Sequence, residues 1–167
     1  MPHKFAIVTG FTAILFAGAI FGFFYAWVCS TMWGLDETDP HIAIPAMQAI
    51  NASVRNVVFF PAFFLTPVVL AIAAVIAYRI NARNSAALFL AAALLYLVGA
   101  FLPTLAVNVP MNEALAAISV PEDPESARTI WLEYSLPWQS WNLVRTVATA
   151  AVLLLCAGGL YSLRKAN

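Results

Sequence analysis

Apolar residues in this chain fall into four long, almost unbroken runs, not into the striped spacing of a helix on a water-facing surface. The runs cover residues 5–31, 57–78, 86–107 and about 144–163. A helix that crosses the hydrocarbon core of a bilayer needs roughly 20 mostly apolar residues. Backbone groups in lipid must be paired within their own segment. Each run therefore predicts a spanning helix, and together they predict an all-α, integral membrane four-helix bundle in a single domain, 1–167. Strands of a membrane β-barrel are excluded, because they need short segments of alternating polarity. Glycines and prolines inside the runs (Gly18, Gly22, Pro61, Pro67, Gly99, Pro103) are compatible with this, since membrane helices tolerate both. The first run far exceeds the roughly 7–15 apolar residues of a signal peptide and predicts a helix that is retained.

The polar positions collect in two segments, 32–56 and 108–143, both at the same end of the predicted bundle. In the first, the acidic turn DETDPH precedes IAIPAMQAINASVRN, which predicts a polar helix with Pro45 near its start, running straight into span two. In the second, NEALAAI predicts a short interfacial helix. The polar turn VPEDPES follows, and Trp131, Tyr134, Trp138 and Trp141 predict an aromatic belt. Gln48, Asn51 and Arg55 precede span two much as Gln139, Asn142 and Arg145 open span four, the pattern an ancient duplication would leave. The inner loop, 79–85, is short, so spans two and three are expected to be antiparallel neighbours.

Composition sharpens the class. The chain of 167 residues is 63% hydrophobic and 10% charged, against about 25% charged in soluble domains. All acidic residues lie in the two polar segments. Lys4, Arg79, Arg83, Arg164 and Lys165 lie at the opposite end, and only Arg55, Arg128 and Arg145 break the segregation. The positive-inside rule then places both termini in the cytoplasm of a bacterial inner membrane. A net charge of zero implies no nucleic-acid partner. Cys29 and Cys156 differ in expected depth by roughly 15–20 Å, too far for a disulfide.

Candidate chemistry gathers near the outer boundary. Gln48, Asn51 and Arg55 share a helix face, as do Trp138, Asn142 and Arg145. Asn108, Asn112 and Glu113 mark where span three leaves the membrane. In a bundle, these groups meet at one depth. Ionisable residues within a membrane usually face the bundle interior or water. Arg145 either snorkels to the interface as a structural anchor or, with Asn142, presents donors to a ligand. Glu113 either pairs with Arg145 or acts as a base. His41 is either a solvated loop residue or a base. There is no HxxxH, ExxH or cysteine pair, so no metal site is expected. Haem has only His3, His41 and a few methionines as axial candidates. The aromatic stripe FGFFYAWV either packs or lines a flat ligand.

These residues also carry a resemblance. GFFYAWVCSTMWGL, AIPAMQAINASVRNVVFF, NVPMNEALA and WQSWNLVRT, in that order, resemble the anthrone-oxygenase-like family of small four-helix membrane proteins. The Asn-x-Pro-x-Asn turn and the Trp-Asn-x-x-Arg helix start are the more specific pieces. The resemblance singles out Gln48, Asn51, Asn108, Pro110, Asn112, Trp141, Asn142 and Arg145. It also makes the DETDPHIAIP stretch, with His41, atypical. It implies cofactor-independent oxidation of a lipophilic, anthrone-like aromatic by O₂. Arg145, Asn142 and Asn112 would be donors, Glu113 or His41 the base, and Gln48, Asn51, Asn108, Trp138 and Trp141 would contact the ligand. Two other classes remain open: a non-catalytic protein that binds a quinone, haem or lipid, and a subunit of a larger membrane complex.

Overall fold

The computed structural model describes residues 2–165, apart from the side chains of Arg164 and Lys165. Those two side chains, which count toward the charge bias, lie outside the described residues. Among the described residues five helices follow one another: α1 (Pro2–Asp36), α2 (Pro40–Ser53), α3 (Phe59–Arg79), α4 (Arg83–Ala116) and α5 (Pro124–Lys165). All except α2 are long and apolar enough to cross a membrane. The chain is therefore an integral membrane protein. Going round the bundle, α1 packs on α3, α3 on α4, α4 on α5, and α5 on α1.

The four-span expectation holds, but several helix ends differ from it. Span two does not continue α2. The chain breaks at 54–58, where Asn56 Oδ1 accepts the amides of Val58 (2.8 Å) and Phe59 (3.0 Å). That side chain starts α3 as an N-cap would. NEALAAI is not a separate interfacial helix, and Asn-x-Pro-x-Asn is not a turn. Asn-x-Pro-x-Asn and the NEALA part of the other stretch belong to α4, which leaves the bundle without stopping, and Ala117 and Ile118 follow its end. The fourth span is the inner part of a 42-residue helix. Such a helix is about 63 Å long, twice the roughly 30 Å of hydrocarbon. The outer ends of α1, α4 and α5 thus stand beyond the bilayer and enclose α2.

Local sequence explains the ends that matter. Asp39-Pro40 and Asp123-Pro124 start α2 and α5. In each case the aspartate accepts an amide of the first turn, from His41 (2.9 Å) and Ser126 (2.9 Å) respectively. Proline at the first helical position loses nothing, because that N–H has no partner inside the helix. At the other end of the bundle, Asn81 has φ 63°. The amides of Asn81 and Ala82 fold back onto the carbonyls of Tyr78 and Ala77, the glycine-type helix stop, here made with asparagine.

Three π-helical segments interrupt the spans: Trp27–Thr31 in α1, and Leu97–Phe101 and Thr104–Asn108 in α4. The two in α4 precede Pro103 and Pro110. Proline cannot donate to the carbonyl four residues back and collides with it, and a π turn relieves that collision. All three segments lie at the level of the polar cluster.

The core has two parts. Within the bundle it is built from small residues, with Ala13, Ala17, Ala73, Ala77 and Ala92 nearly or fully buried around Phe89 and Leu163. Backbones approach closely enough that a Cβ on Gly159 would lie 3.0–3.1 Å from the Phe89 ring. Beyond the bundle, Trp27, Met32, Ile44, Met47, Leu115 and Trp131 form a second core under α2. Cys29 is exposed, Cys156 is buried, and both are free.

Candidate functional site

Polar side chains converge at the boundary between the two cores. Arg145 is 3% exposed. Its guanidinium donates to Thr104 Oγ1 and to Asn142 Oδ1, both at 3.1 Å. Asn142 in turn donates Nδ2–H to the Phe24 carbonyl at 3.1 Å. That carbonyl lies just before the π segment of α1, where the regular hydrogen-bond ladder is disturbed. Thr104 donates to the Ala100 carbonyl at 2.8 Å. Three spans thus fix one guanidinium. Its carbon also lies 4.6 Å from the Phe24 ring centre and 5.4 Å from that of Trp138, within cation–π range. Among the described residues no carboxylate pairs with it.

A second network lies just outward. Tyr134 OH accepts from Asn51 Nδ2 (3.1 Å) and donates to Asn112 Oδ1 (2.9 Å), which also takes Trp138 Nε1–H (2.9 Å). The indole can only donate, so the orientation of the Asn112 amide is settled chemically. Between the networks lies an apolar cavity of ≈ 210 Å³. Phe23, Phe24, Trp27, Phe59, Phe63 and Trp138 wall it with rings. Asn51, Asn108, Asn112, Asn142 and Arg145 supply polar groups. The exposed residues of the lining are Arg55, Phe60, Phe64 and Leu105. They place the mouth between the start of α3 and the outer part of α4, facing laterally. From Leu163 to Arg145 is about 27 Å along the helix, so the cavity sits at one edge of the hydrocarbon layer.

Four sequence candidates lie elsewhere. Glu113 pairs with Arg55, not with Arg145, and both are about half exposed at the rim. Gln48 donates to the carbonyls of Leu115 (2.8 Å) and Ile118 (3.0 Å), tying α2 to the end of α4. Trp141 is 39% exposed and does not line the cavity. His41 is also remote. Its Nδ1 meets Asp39 Oδ1 at 2.9 Å and its Nε2 meets the Pro121 carbonyl at 3.0 Å. Both partners are acceptors, so both ring nitrogens must donate, which the imidazolium alone can do. The hydrogen bond to Asp39 accordingly raises the His41 pKa above its ordinary value. Gln139 bonds Asp36, as do Trp131 and Ser135. Gln48 and Gln139 therefore do unlike work and Arg55 is exposed where Arg145 is buried, but Asn51 and Asn142 are both buried on the cavity wall.

Sequence reasoning overlooked Thr104 and placed Tyr134 only in an aromatic belt. The signal for Thr104 was available: Thr104, Asn108 and Asn112 repeat every four residues, a polar stripe on one helix face. Among the described residues no group of three or more His, Cys, Asp or Glu could hold a metal ion.

The fold and site define a class: a four-helix membrane protein with an aromatic cavity that presents a buried cation and several carboxamides. A family model described as Anthrone oxygenase matches residues 55–155, more than half of the chain. The protein belongs to the anthrone oxygenase family. The matched residues include Asn108, Asn112, Trp138, Asn142 and Arg145. They exclude α1 and α2, so GFFYAWVCSTMWGL and most of the Asn51 stretch lie outside the match. No curated protein and no solved structure matches the chain.

Proposed function

We propose that the protein is a membrane-embedded, cofactor-independent oxygenase that uses O₂ to oxidise a lipophilic, anthrone-like aromatic to its quinone. The observation that carries this is Arg145: a guanidinium buried at an apolar cavity without a carboxylate. A buried charge left unpaired is costly, and such a site favours a ligand that becomes an anion. An anthrone does so when it loses a proton from its ring CH₂, giving an anthranolate.

At about 4 Å and an effective dielectric of 20, one cation stabilises such an anion by about 4 kcal/mol, roughly a thousandfold in acidity. No imidazole, thiol or carboxylate lines the cavity among the described residues. The proton therefore leaves to water at the mouth, and Arg145 provides the driving force by holding the oxyanion. The anion passes one electron to O₂, leaving a substrate radical and superoxide. Their recombination forms a C–O bond and, after protonation, a hydroperoxide. Loss of the remaining C–H proton with cleavage of the O–O bond gives the quinone carbonyl and water. One oxygen atom ends in product and one in water, so no external reductant is consumed. The ring-walled cavity orients the flat substrate, and its lateral mouth admits it from the bilayer. The end bearing Arg79 and Arg83 faces the cytoplasm in this reading. Single cysteines replacing Asp39 or Glu122 would then react only with reagent added outside.

The missing general base favours a second reading, a protein that holds a quinone without turnover. The lining also lacks an imidazole, thiolate or thioether for haem iron. Oxygen uptake separates the two readings. Purified protein should consume O₂ and form anthraquinone from anthrone well above the spontaneous rate. Tight binding of anthraquinone with no uptake above background would leave the binding protein standing.

A further inference from the structure

Two side chains of α2, His41 and Gln48, grip the segment that connects α4 to α5. They lie two helical turns apart with Ile44 between them, on one face of the helix. Among the described residues, 119–121 of this connector make no backbone–backbone hydrogen bond. Side chains of α2 bond the carbonyls around it instead. Gln48 donates to Leu115 and Ile118, and His41 Nε2 meets Pro121. The first turn of α2 leans on the His41 contact. Pro45 has no N–H to give the His41 carbonyl, so that turn joins the rest of the helix with one bond fewer. Under it, Ala43, Ile44 and Met47 are fully buried in the second core. The far end of α2 is held separately, by Asn51 on Tyr134 and Arg55 on Glu113.

We propose that His41 is a proton-operated latch: protonated, it docks the first half of α2 on the connector, and neutral, it lets that half lift and uncovers the apolar core beneath. The latch is independent of what the cavity binds. The imidazolium gives one N–H to Asp39 and one to Pro121. A neutral ring keeps a single N–H, and the carboxylate, as the stronger acceptor, retains it. A nitrogen lone pair then faces the Pro121 carbonyl, and the link across to the connector turns repulsive. The charged groups that act on the ring are Asp39 on its own helix and Asp123 at the start of α5, with the backbone of Pro121 and Glu122 from the connector. Both aspartates have lowered pKa values and stay ionised from pH 6 upward, whereas that of His41 is raised by its bond to Asp39. The latch is therefore closed below the raised value and released as pH climbs through it. The ring is 32% exposed, so its proton exchanges directly with water. Exposed charge pairs add little to global stability, so release opens one segment and not the bundle. Asn51 and Arg55 keep the other end of α2 in place, which leaves the cavity wall intact.

The test is amide hydrogen exchange, read by mass spectrometry on the purified full chain in detergent. His41→Ala is compared with the wild type at pH 6 and again at pH 8.5. A ratio taken at one pH cancels the intrinsic pH dependence of exchange. At pH 6 the variant should exchange roughly two- to tenfold faster over residues 42–48 and 117–123, the worth of one lost hydrogen bond. At pH 8.5 the ratio should fall to near one, because the wild type has then released its own latch. Residues 70–77 of α3 serve as the reference and should show a ratio near one at both values. Asp39→Asn supplies a second variant, since asparagine still caps the helix but no longer holds the proton on the ring. Its protection of 117–123 should be lost at lower pH than in the wild type. A ratio in His41→Ala that is the same at both pH values reduces the ring to packing and overturns the latch. An Asp39→Asn midpoint that does not move, measured on a variant with native exchange at 70–77, overturns it as well.

Discussion

The two halves of the bundle solve opposite problems with the same helices. Around Gly10, Phe89 and Gly159, small residues let the backbones close in until no space remains. Around Arg145, rings and carboxamides hold the helices apart and leave a cavity. The α4–α5 contact stays close from Gly159 as far as Gly99, where an added Cβ would lie 2.6 Å from Ala148. Gly159 lies against Phe89 in the sealed half. Toward the cavity, α4 turns π-helical, and Thr104 meets Arg145 through a hydrogen bond. The sealed half supplies van der Waals packing, which drives helix association in lipid. That packing lets the other half keep a void and a charge that a stability-optimised bundle would omit.

The contrast between the two halves is sharpest at Arg145. Arg145→Lys should lower turnover on the order of 10²–10³, since an ammonium cannot reproduce the planar fork. Arg145→Met should abolish turnover yet leave thermal stability in detergent equal or higher, because no carboxylate is stranded when the charge goes. A large drop in melting temperature for Arg145→Met, with full activity in Arg145→Lys, would make the charge merely structural. Gly159→Ala probes the sealed half. Overpacking against the immobile Phe89 ring should cost about 1–3 kcal/mol, with ligand affinity per folded molecule retained. Lost affinity at unchanged stability would show that the two halves are not separable.

Smaller effects are expected at the rim. Glu113→Gln should cost at most about 1 kcal/mol of stability, as for other exposed pairs. Its turnover should stay within about threefold of the wild type, whereas losing a true general base costs about 10²–10⁴. A loss of that size would move Glu113 into the chemistry. The smallest effect belongs to His41. Its folded pKa is raised above 6.5 by Asp39, whose own pKa is lowered from 3.8. The contribution of His41 is complete below 6.5 and fades as pH rises through the folded value. The aspartate's contribution fades as pH falls through its lowered value. Melting temperature should therefore decline slightly from pH 6 to pH 8 in the wild type, and His41→Gln should flatten that decline without altering turnover. A decline that survives in His41→Gln would assign it to another group.

The sequence alone was enough to define the spans, because lipid tolerates no unpaired backbone and roughly 20 apolar residues have no other use. It also determined the common depth of Asn108, Asn112, Asn142 and Arg145, since helical rise converts position directly into height, whereas Asn51 lies on a helix that ends before span two begins. Depth is not direction. Whether Glu113 meets Arg145 or Arg55 depends on how α4 is rotated against α2 and α5. Two π segments change that rotation within a dozen residues, and hydropathy does not register them. Gln48 looked like a site residue at the right height, yet tertiary contacts turn it to Leu115 and Ile118, and His41 is held at Pro121. Thr104 looked like one more apolar-run residue until Arg145 reached it across the bundle. Height along a helix is set by covalent geometry and can be counted; the azimuth of each side chain is set by packing against other helices, and only the folded bundle decides it.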